Sequence, residues 1–182
     1  MTGTARPTPV GMAHGRFQPF HNGHLEYCLE AGARCERLVV GLTNPGPSRI
    51  AAEPDDPGRS EPDSNPFPYH VRARMVQLAV FEAGIDPCAL QIVPFPIHHK
   101  DLWRWYVPPS AVQFLRIQSA WDGRKAERFS AAGYPVVDLA AGRSKNVSGT
   151  QVRERWRDGG DWRSLVPPAV ARIMETEAHA GT

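Results

Sequence analysis

Five short apolar runs alternate with helix-length stretches along most of this chain. The runs occupy residues 10–17, 38–42, 91–95, 111–117 and 135–139, and each is bounded by Gly, Pro, Asp or Asn. Such runs are typical of buried strands. Helix-length stretches separate them at 22–35, 68–83, 99–107 and 124–132, and two more follow at 147–157 and 161–177. This alternation predicts an α/β fold in which helices flank a single doubly wound parallel sheet.

Composition restricts the kind of protein. The 182 residues lie in the usual size range of one domain, so we expect residues 1–182 to form a single domain. The net charge is only +2, so overall charge implies no polyanion-binding surface, and nucleic acid is not an expected partner. Cys28, Cys35 and Cys88 lack the clustering of a disulfide framework or a zinc site, which favours a reducing cytoplasm. Without an apolar signal or spanning run, we expect a soluble protein with no membrane partner.

Residues 43–65 interrupt the compact pattern, since they are rich in Pro, Asp, Glu and Ser. Loops of this length are usually functional lids or disordered segments. The segment follows the carboxyl end of a predicted strand, where open α/β sheets bind ligands. We therefore expect a lid or flexible loop at 43–65, and a C-terminal helix and tail at 161–182.

The predicted helix at 68–83 has an amphipathic pattern. Val71, Met75, Leu78, Ala79 and Glu82 recur at three- and four-residue spacing. A surface helix would bury these residues and turn Arg72 and Arg74 elsewhere.

The sequence GRFQPFHNGH at residues 15–24 lies where the first predicted strand passes through a turn into a helix. A helix N-terminus presents free N–H groups and the positive end of its dipole, which suits phosphate. Gly15 and Gly23 let the backbone approach a ligand closely. His21 and His24 can lie on one side of the helix and donate N–H groups to phosphoryl oxygens as charge builds during displacement. The alternative, a capped helix with two surface histidines, explains less of the string.

A second candidate helix start lies in NVSGTQVRER, residues 146–155. Ser148 and Gln151 have the spacing of a capping box, which predicts a helix beginning at Ser148. Thr150 and the backbone N–H groups can hold a phosphate oxygen, and Arg153 can reach the same anion with a planar donor fork. Taken alone, a capped structural helix with exposed arginines would explain this motif equally well, because capping boxes are common.

Together the two motifs resemble those of the nucleotidylyltransferase superfamily. GRFQPFHNGH is similar to its GxFxPxHxGH signature, and VSGTQVR is similar to its ISGTxxR motif near the C-terminal end. The resemblance covers most of the chain and implies a Rossmann-like nucleotidylyltransferase fold. It is closest to the nicotinamide mononucleotide adenylyltransferase branch, through GRFQPFH, NPFPYHVRARM, PFPI and residues 102–107.

The resemblance implies transfer of NMP from a nucleoside triphosphate to a small phosphorylated or phosphonate acceptor, with release of pyrophosphate. The acceptor attacks the α-phosphorus in line, so no protein nucleophile is needed. The implied catalytic residues are His21, His24 and Arg153. The implied nucleotide-binding residues are Gly15, Arg16, Phe17, Gln18, Ser148, Gly149 and Thr150. Mg²⁺ would be held mainly by nucleotide phosphates, with no protein metal ligand.

One region departs from the adenylyltransferase branch. That branch has a Ser-Gly-Asn or Ser-Gly-Asp turn after the fourth strand, placed to read the purine, whereas this chain has RIQSAWDGR at 116–124. Trp121 in this segment could contact the nucleotide, narrow the base slot and favour a pyrimidine. His98, His99 and Lys100 add positive charge beside the expected acceptor pocket, and Trp103 could stack on an aromatic acceptor. A polar loop and a core tryptophan are the alternatives.

These observations lead to two enzymatic hypotheses. The first is a nicotinamide mononucleotide adenylyltransferase, which forms NAD and pyrophosphate from ATP and nicotinamide mononucleotide. The alternative is a CTP-dependent cytidylyltransferase that activates a small phosphonate or phosphate. A nucleotide-sensing module without turnover is less favoured, because a binder has less need of transition-state donors such as His21 and His24. The charge balance disfavours an RNA-binding module. The sequence does not determine the oligomeric state, and a homo-oligomer is one of the possibilities.

Overall fold

Five strands form one parallel sheet in the computed structural model, which describes residues 7–46, 61–139 and 147–180. The strands are β1 (Thr8–Gly15), β2 (Cys35–Thr43), β3 (Leu90–Phe95), β4 (Val112–Leu115) and β5 (Val136–Asp138). Their order in the sheet is β3-β2-β1-β4-β5. The first strand is central, and the chain builds outward from it first on one side and then on the other. The predicted doubly wound α/β fold is therefore confirmed.

Helices cover both faces of this sheet. The α-helices are α1 (Asn22–Gly32), α2 (Tyr69–Glu82), α3 (Ala120–Ala131), α4 (Gly149–Arg157) and α5 (Pro168–Ala180). Helices α1, α2, α4 and α5 share one buried cluster, to which they contribute Cys28, Met75, Val152 and Met174. Helix α3 contributes Phe129 to a second buried cluster. The motif helices α1 and α4 therefore lie on the face opposite α3.

Several element boundaries differ from the sequence prediction. The stretch 99–107 contains a shorter 3-10 helix, Lys100–Trp105. The helix expected at 161–177 begins at Pro168, after a 3-10 turn at Arg163–Leu165. Proline fits a first helical turn, because the N–H it lacks has no partner there. Helix α3 begins at Ala120 rather than 124, because the Ser119 hydroxyl caps its first turn.

Three other expectations concern loops, cysteines and membranes. Of the predicted loop at 43–65, residues 47–60 lie outside the described part of the chain. Cys28, Cys35 and Cys88 carry free thiols. Among the described helices, none has the length and apolar character needed to cross a membrane.

The ladder between β1 and β4 is short. β1 pairs with β2 from Thr8 to Gly15, but its register with β4 contains only the pairs Gly11–Val112 and Met12–Gln113. The two central strands therefore separate toward their carboxyl ends. This is also where the strand order reverses, and open α/β sheets bind ligands in the crevice at that position.

The hydroxyl of Tyr27, on α1, bridges the two strands where they separate. It accepts a hydrogen bond from the backbone N–H of His14 at 3.2 Å and donates one to the carbonyl of Phe114. Tyr27 is 7% exposed. Burial raises the pKa of the phenol well above its usual value, so the hydroxyl stays protonated and can serve both groups. One side chain thus satisfies a donor and an acceptor that the ladder leaves unpaired.

Replacing Tyr27 with Phe should destabilise the protein by about 1–3 kcal/mol, because the buried N–H of His14 and the carbonyl of Phe114 both lose their shared partner. Urea denaturation measures the effect as a lower midpoint at unchanged m-value. The control is Tyr106→Phe, at a half-buried position, for which we expect a change within about 0.5 kcal/mol. Equal midpoints for the Tyr27 variant and the parent would show that the bridge contributes nothing.

Candidate active site

The first motif folds into a reciprocal cap at the start of α1. The Nδ1 atom of His21 accepts from the N–H of His24 at 3.3 Å, and Nδ1 of His24 accepts from the N–H of His21 at 3.4 Å. The rings stack with centroids 3.6 Å apart. Because Nδ1 is the acceptor in each ring, the proton of the neutral form lies on Nε2. Both histidines therefore offer an Nε2–H donor at a helix N-terminus, where anions are stabilised.

The second motif forms the predicted cap of α4. The Ser148 hydroxyl accepts from the N–H of Gln151 at 3.2 Å, and the helix begins at Gly149. The predicted helix start is therefore confirmed. As in α1, the first backbone N–H groups of this helix lack partners within the helix.

The two motifs meet at the carbonyl oxygen of Gln18. Arg153 donates from Nη1 to that oxygen at 2.7 Å and from Nη2 to the Thr150 hydroxyl at 3.2 Å. A Cβ added to Gly149 would lie 2.7 Å from the same carbonyl oxygen. Arg153 is 8% exposed, and its burial together with the charge of Arg157 lowers the pKa of the guanidinium. The arginine therefore both joins the motifs and brings positive charge to the place where they meet.

A cavity of about 430 Å³ lies at the carboxyl ends of β1 and β4. Ten of the residues predicted for catalysis or nucleotide binding line it: His21, His24, Arg153, Gly15, Arg16, Phe17, Gln18, Ser148, Gly149 and Thr150. Segments from opposite ends of the sequence thus form one site, with two helix N-termini at its wall. Such a wall suits the phosphates of a nucleotide.

The side chain of Gln18 supports the site rather than facing a ligand. Its Nε2 donates to the carbonyl of Phe67 at 2.8 Å, and its Oε1 accepts from the N–H of Phe67 at 3.0 Å. Gln18 is 4% exposed. Both ends of the amide are committed to the protein backbone, so the side chain of Gln18 is not available to a ligand.

Arg72 was missed as a site residue, and the expectation that it is turned away from the interior is wrong. It is 1% exposed, and it donates to the carbonyls of Arg16, Thr43 and Asn44 at 2.8–2.9 Å. These carbonyls flank two left-handed residues, Phe17 with φ 52° and Asn44 with φ 51°. Arg72 therefore fixes the turns that follow β1 and β2.

A signal for Arg72 was present in the sequence. Arg72 lies three and four residues before Met75 and Val76, both of which are fully buried. This spacing places it on the buried side of the helix. A buried arginine needs several acceptors, and only the folded chain shows that the ends of β1 and β2 supply them.

The start of α3 and the turn before it form the other wall of the cavity through Gln118, Ser119, Asp122 and Lys125. The first three lie in the segment 116–124 that the sequence placed beside the base, but none of the four was singled out as a site residue. The Asp122 carboxylate lies 2.8 Å from Lys125 Nζ and accepts from the Ser119 hydroxyl at 2.7 Å. Burial alone would raise the pKa of Asp122, but the Lys125 charge and the hydrogen bonds outweigh it and lower the pKa. The carboxylate is therefore ionised and fully engaged by its neighbours.

Two predicted tryptophan roles need correction. Trp121 is absent from the cavity lining, and its ring instead lies 6.1 Å from that of His98. Successive residues of a helix point about 100° apart. Because Asp122 faces the cavity, the neighbouring Trp121 points away from it. Trp103 is 1% exposed, donates from Nε1 to the carbonyl of Pro96 and stacks on Phe129. A ring with no open face cannot stack on an acceptor, so Trp103 is a core residue.

The remaining acceptor residues do not join the main cavity. His98 and His99 line a separate cavity of about 310 Å³ beyond β2 and β3, together with Asn44, Leu102 and Tyr106. Lys100 is exposed and lines neither cavity. The structure thus separates this group from the two nucleotide motifs.

Residues 12–155, which include both motifs, match the model of the cytidylyltransferase-like family. The chain belongs to this family. Phosphonoformate cytidylyltransferase of Streptomyces viridochromogenes is 43% identical over 166 residues, which cover 91% of this chain and 90% of that relative. Nicotinamide-nucleotide adenylyltransferase of Thermococcus onnurineus is 28% identical and covers 91% of this chain and 81% of that relative.

Solved structures share the fold of this chain. A bifunctional NMN adenylyltransferase/ADP ribose pyrophosphatase from Francisella tularensis superposes with a TM-score of 0.68 at 16% identity. The match covers 92% of this chain and 49% of the other, so it spans about half of that protein. At this identity the likeness concerns the fold. The predicted membership of the nucleotidyltransferase enzymes, near the adenylyltransferase branch, is confirmed.

Replacing Gly149 with Ala should lower both stability and activity of this cytidylyltransferase-like protein. The new Cβ would press on the Gln18 carbonyl, which can retreat only by displacing the first motif from the second. We expect a loss of about 1–3 kcal/mol in unfolding free energy, measured by urea denaturation.

Gly123→Ala is the matched control, because a Cβ at Gly123 meets nothing within 4 Å. Gly123 lies within α3, so alanine should raise stability there by up to about 1 kcal/mol. An equal effect of the two substitutions would contradict the close approach at Gly149.

Proposed function

We propose that this chain is a CTP-dependent cytidylyltransferase that transfers CMP to a small phosphonate acceptor and releases pyrophosphate. The observation that carries the proposal is the single cavity formed by both nucleotide motifs. The chain is 43% identical in sequence to phosphonoformate cytidylyltransferase but only 28% identical to the Thermococcus adenylyltransferase. This difference favours cytidylyl transfer over adenylyl transfer. The buried state of Trp103 supports the same choice, since the expected platform for a nicotinamide ring is closed.

In the proposed reaction, a phosphonate oxygen attacks the α-phosphorus of CTP in line. A phosphonate–phosphate P–O–P bond forms, the bond between the α-phosphorus and its bridging oxygen breaks, and pyrophosphate leaves with that oxygen. The positively polarised starts of α1 and α4 hold the phosphates. The Nε2–H groups of His21 and His24 stabilise the charge that grows on the transferred group, and Arg153 and Thr150 bind the leaving pyrophosphate.

A divalent cation fits this site as part of the nucleotide complex. Among residues 7–46, 61–139 and 147–180, no group of three or more His, Cys, Asp and Glu is arranged to hold a metal ion. The cavity carboxylates are Glu26 and Asp122, and Asp122 is engaged by Lys125. Mg²⁺ would therefore take its ligands mainly from triphosphate oxygens and water, and it would neutralise charge on the pyrophosphate.

Pyrophosphate release tests the substrates directly. We expect a screen of ATP, CTP, GTP and UTP against phosphonoformate, nicotinamide mononucleotide and inorganic phosphate to give turnover chiefly with CTP and phosphonoformate. Phosphorus NMR would show the new P–O–P linkage in the product. Turnover of ATP with nicotinamide mononucleotide instead would restore the adenylyltransferase hypothesis, and nucleotide binding without turnover would favour a sensing module.

Replacing His24 with Ala should lower kcat about a hundredfold or more, the loss typical of one transition-state donor, while the KM for CTP changes little. Steady-state kinetics measures both constants, and a thermal melt checks that the fold survives the loss of the hydrogen bond between the His24 side chain and the N–H of His21. The control is Asn22→Ala in the same turn, because the Asn22 amide donates to the carbonyl of Ser164 and lies outside the cavity. A His24 variant that keeps the parental kcat would exclude the proposed role of this histidine.

A further inference from the structure

His14 carries a buried imidazole. It lies on β1 next to Gly15 and is 6% exposed. Within the described part of the chain, neither Nδ1 nor Nε2 finds a hydrogen-bond partner. The ring packs against aromatic neighbours, with centroids 5.2 Å from Phe129 and 5.9 Å from Phe95. A phenylalanine would suit such surroundings better, because a buried polar group without a partner destabilises the fold.

The position of His14 relates it to the cavity. His14 belongs to the cavity lining, together with Asp122 and Lys125 of α3. Side chains alternate along a strand, and Val10 and Met12 of β1 belong to the buried cluster on the α3 side. His14 continues this series. Its side chain therefore lies on the face of the sheet opposite the motif helices α1 and α4. The α-phosphate would lie at the end of β1, between these two faces.

An ion pair of α3, Lys125 and Asp122, influences the charge state of His14. Burial and, to a smaller extent, the charge of Lys125 outweigh the opposing charge of Asp122 and lower the pKa of the ring to about 3. The ring is therefore neutral at physiological pH and carries one N–H donor. Lys125 supplies an ammonium 2.8 Å from the Asp122 carboxylate, and its side chain is 17% exposed. An incoming carboxylate on the cavity side can share this ammonium with Asp122, because the lysine side chain is long and flexible.

We propose that His14 and Lys125 bind the carboxylate of a phosphonocarboxylate acceptor, on the side of β1 opposite the motif helices. The inference rests on the proposed cytidylyl transfer and specifies the second anionic group of its acceptor. With the carboxylate held on the α3 side and the triphosphate on the side of α1 and α4, the phosphonate lies between them. That is the arrangement that in-line attack on the α-phosphorus requires.

The decisive variant is His14→Phe, which keeps the ring packing and removes both nitrogens. We expect the KM for phosphonoformate to rise about tenfold or more, as for loss of a hydrogen bond to a charged group, while the KM for CTP stays within about twofold. The melting temperature should not fall. Methylphosphonate lacks the carboxylate, so its inhibition constant against phosphonoformate should be unchanged by the substitution.

Lys125→Met provides a second test at a less buried position, and it too should raise the KM for phosphonoformate alone. The control is Gln113→Met on β4, a fully buried residue whose Oε1 also lacks a partner but which is outside the cavity lining. This variant should keep both KM values.

Two results would overturn the inference. The first is an unchanged KM for phosphonoformate in folded His14→Phe or in Lys125→Met. The second is a rise in the inhibition constant of methylphosphonate equal to the rise in that KM. If the parent protein forms no CMP-phosphonoformate at all, the proposed function itself fails. The two failures are therefore distinguishable.

Discussion

The Tyr27 hydroxyl stands between β1 and β4 at the point where their ladder ends, and the position of the cavity depends on this bridge. Beyond Met12 the two strands no longer pair, so their carboxyl ends open into a crevice instead of continuing as sheet. Backbone groups exposed in this way must find other partners in the interior. Tyr27 provides them from α1, the helix that also carries the histidine pair.

The nucleotide motifs are held together by a single backbone oxygen. The Gln18 carbonyl accepts from Arg153 and is approached closely by Gly149, so the second motif cannot shift without disturbing the first. Toward β2, Arg72 fixes the carbonyl of Arg16 and the end of that strand. Buried charge with several acceptors rigidifies its surroundings, because each broken bond would leave a costly unsatisfied group. The helix N-termini are thereby held in place before any phosphate arrives, as electrostatic stabilisation requires.

Much of this site could be predicted from local sequence. The strand–turn–helix at residues 15–24 and the cap at Ser148 depend on neighbours within a few positions, and both formed as expected. Trp121 and Trp103 could not be placed in this way. The orientation of Trp121 depends on where α3 begins, and that start depends on the Ser119 cap. A tryptophan such as Trp103 is equally compatible with a core position and with a surface on which a ligand stacks, so its presence in the sequence does not distinguish the two.

By itself, the sequence determined the alternating α/β order, the parallel sheet and the two phosphate-ready helix starts, because periodicity and capping are read over short spans. Only the tertiary structure decided that Arg153 meets the Gln18 carbonyl, 135 residues away in sequence, and that Arg72 reaches that of Arg16, 56 residues away. It also decided that His14 would be buried with neither ring nitrogen hydrogen-bonded to any residue that the structure describes. These outcomes depend on how the faces of β1 pack against helices from distant parts of the chain, and no local pattern encodes that packing.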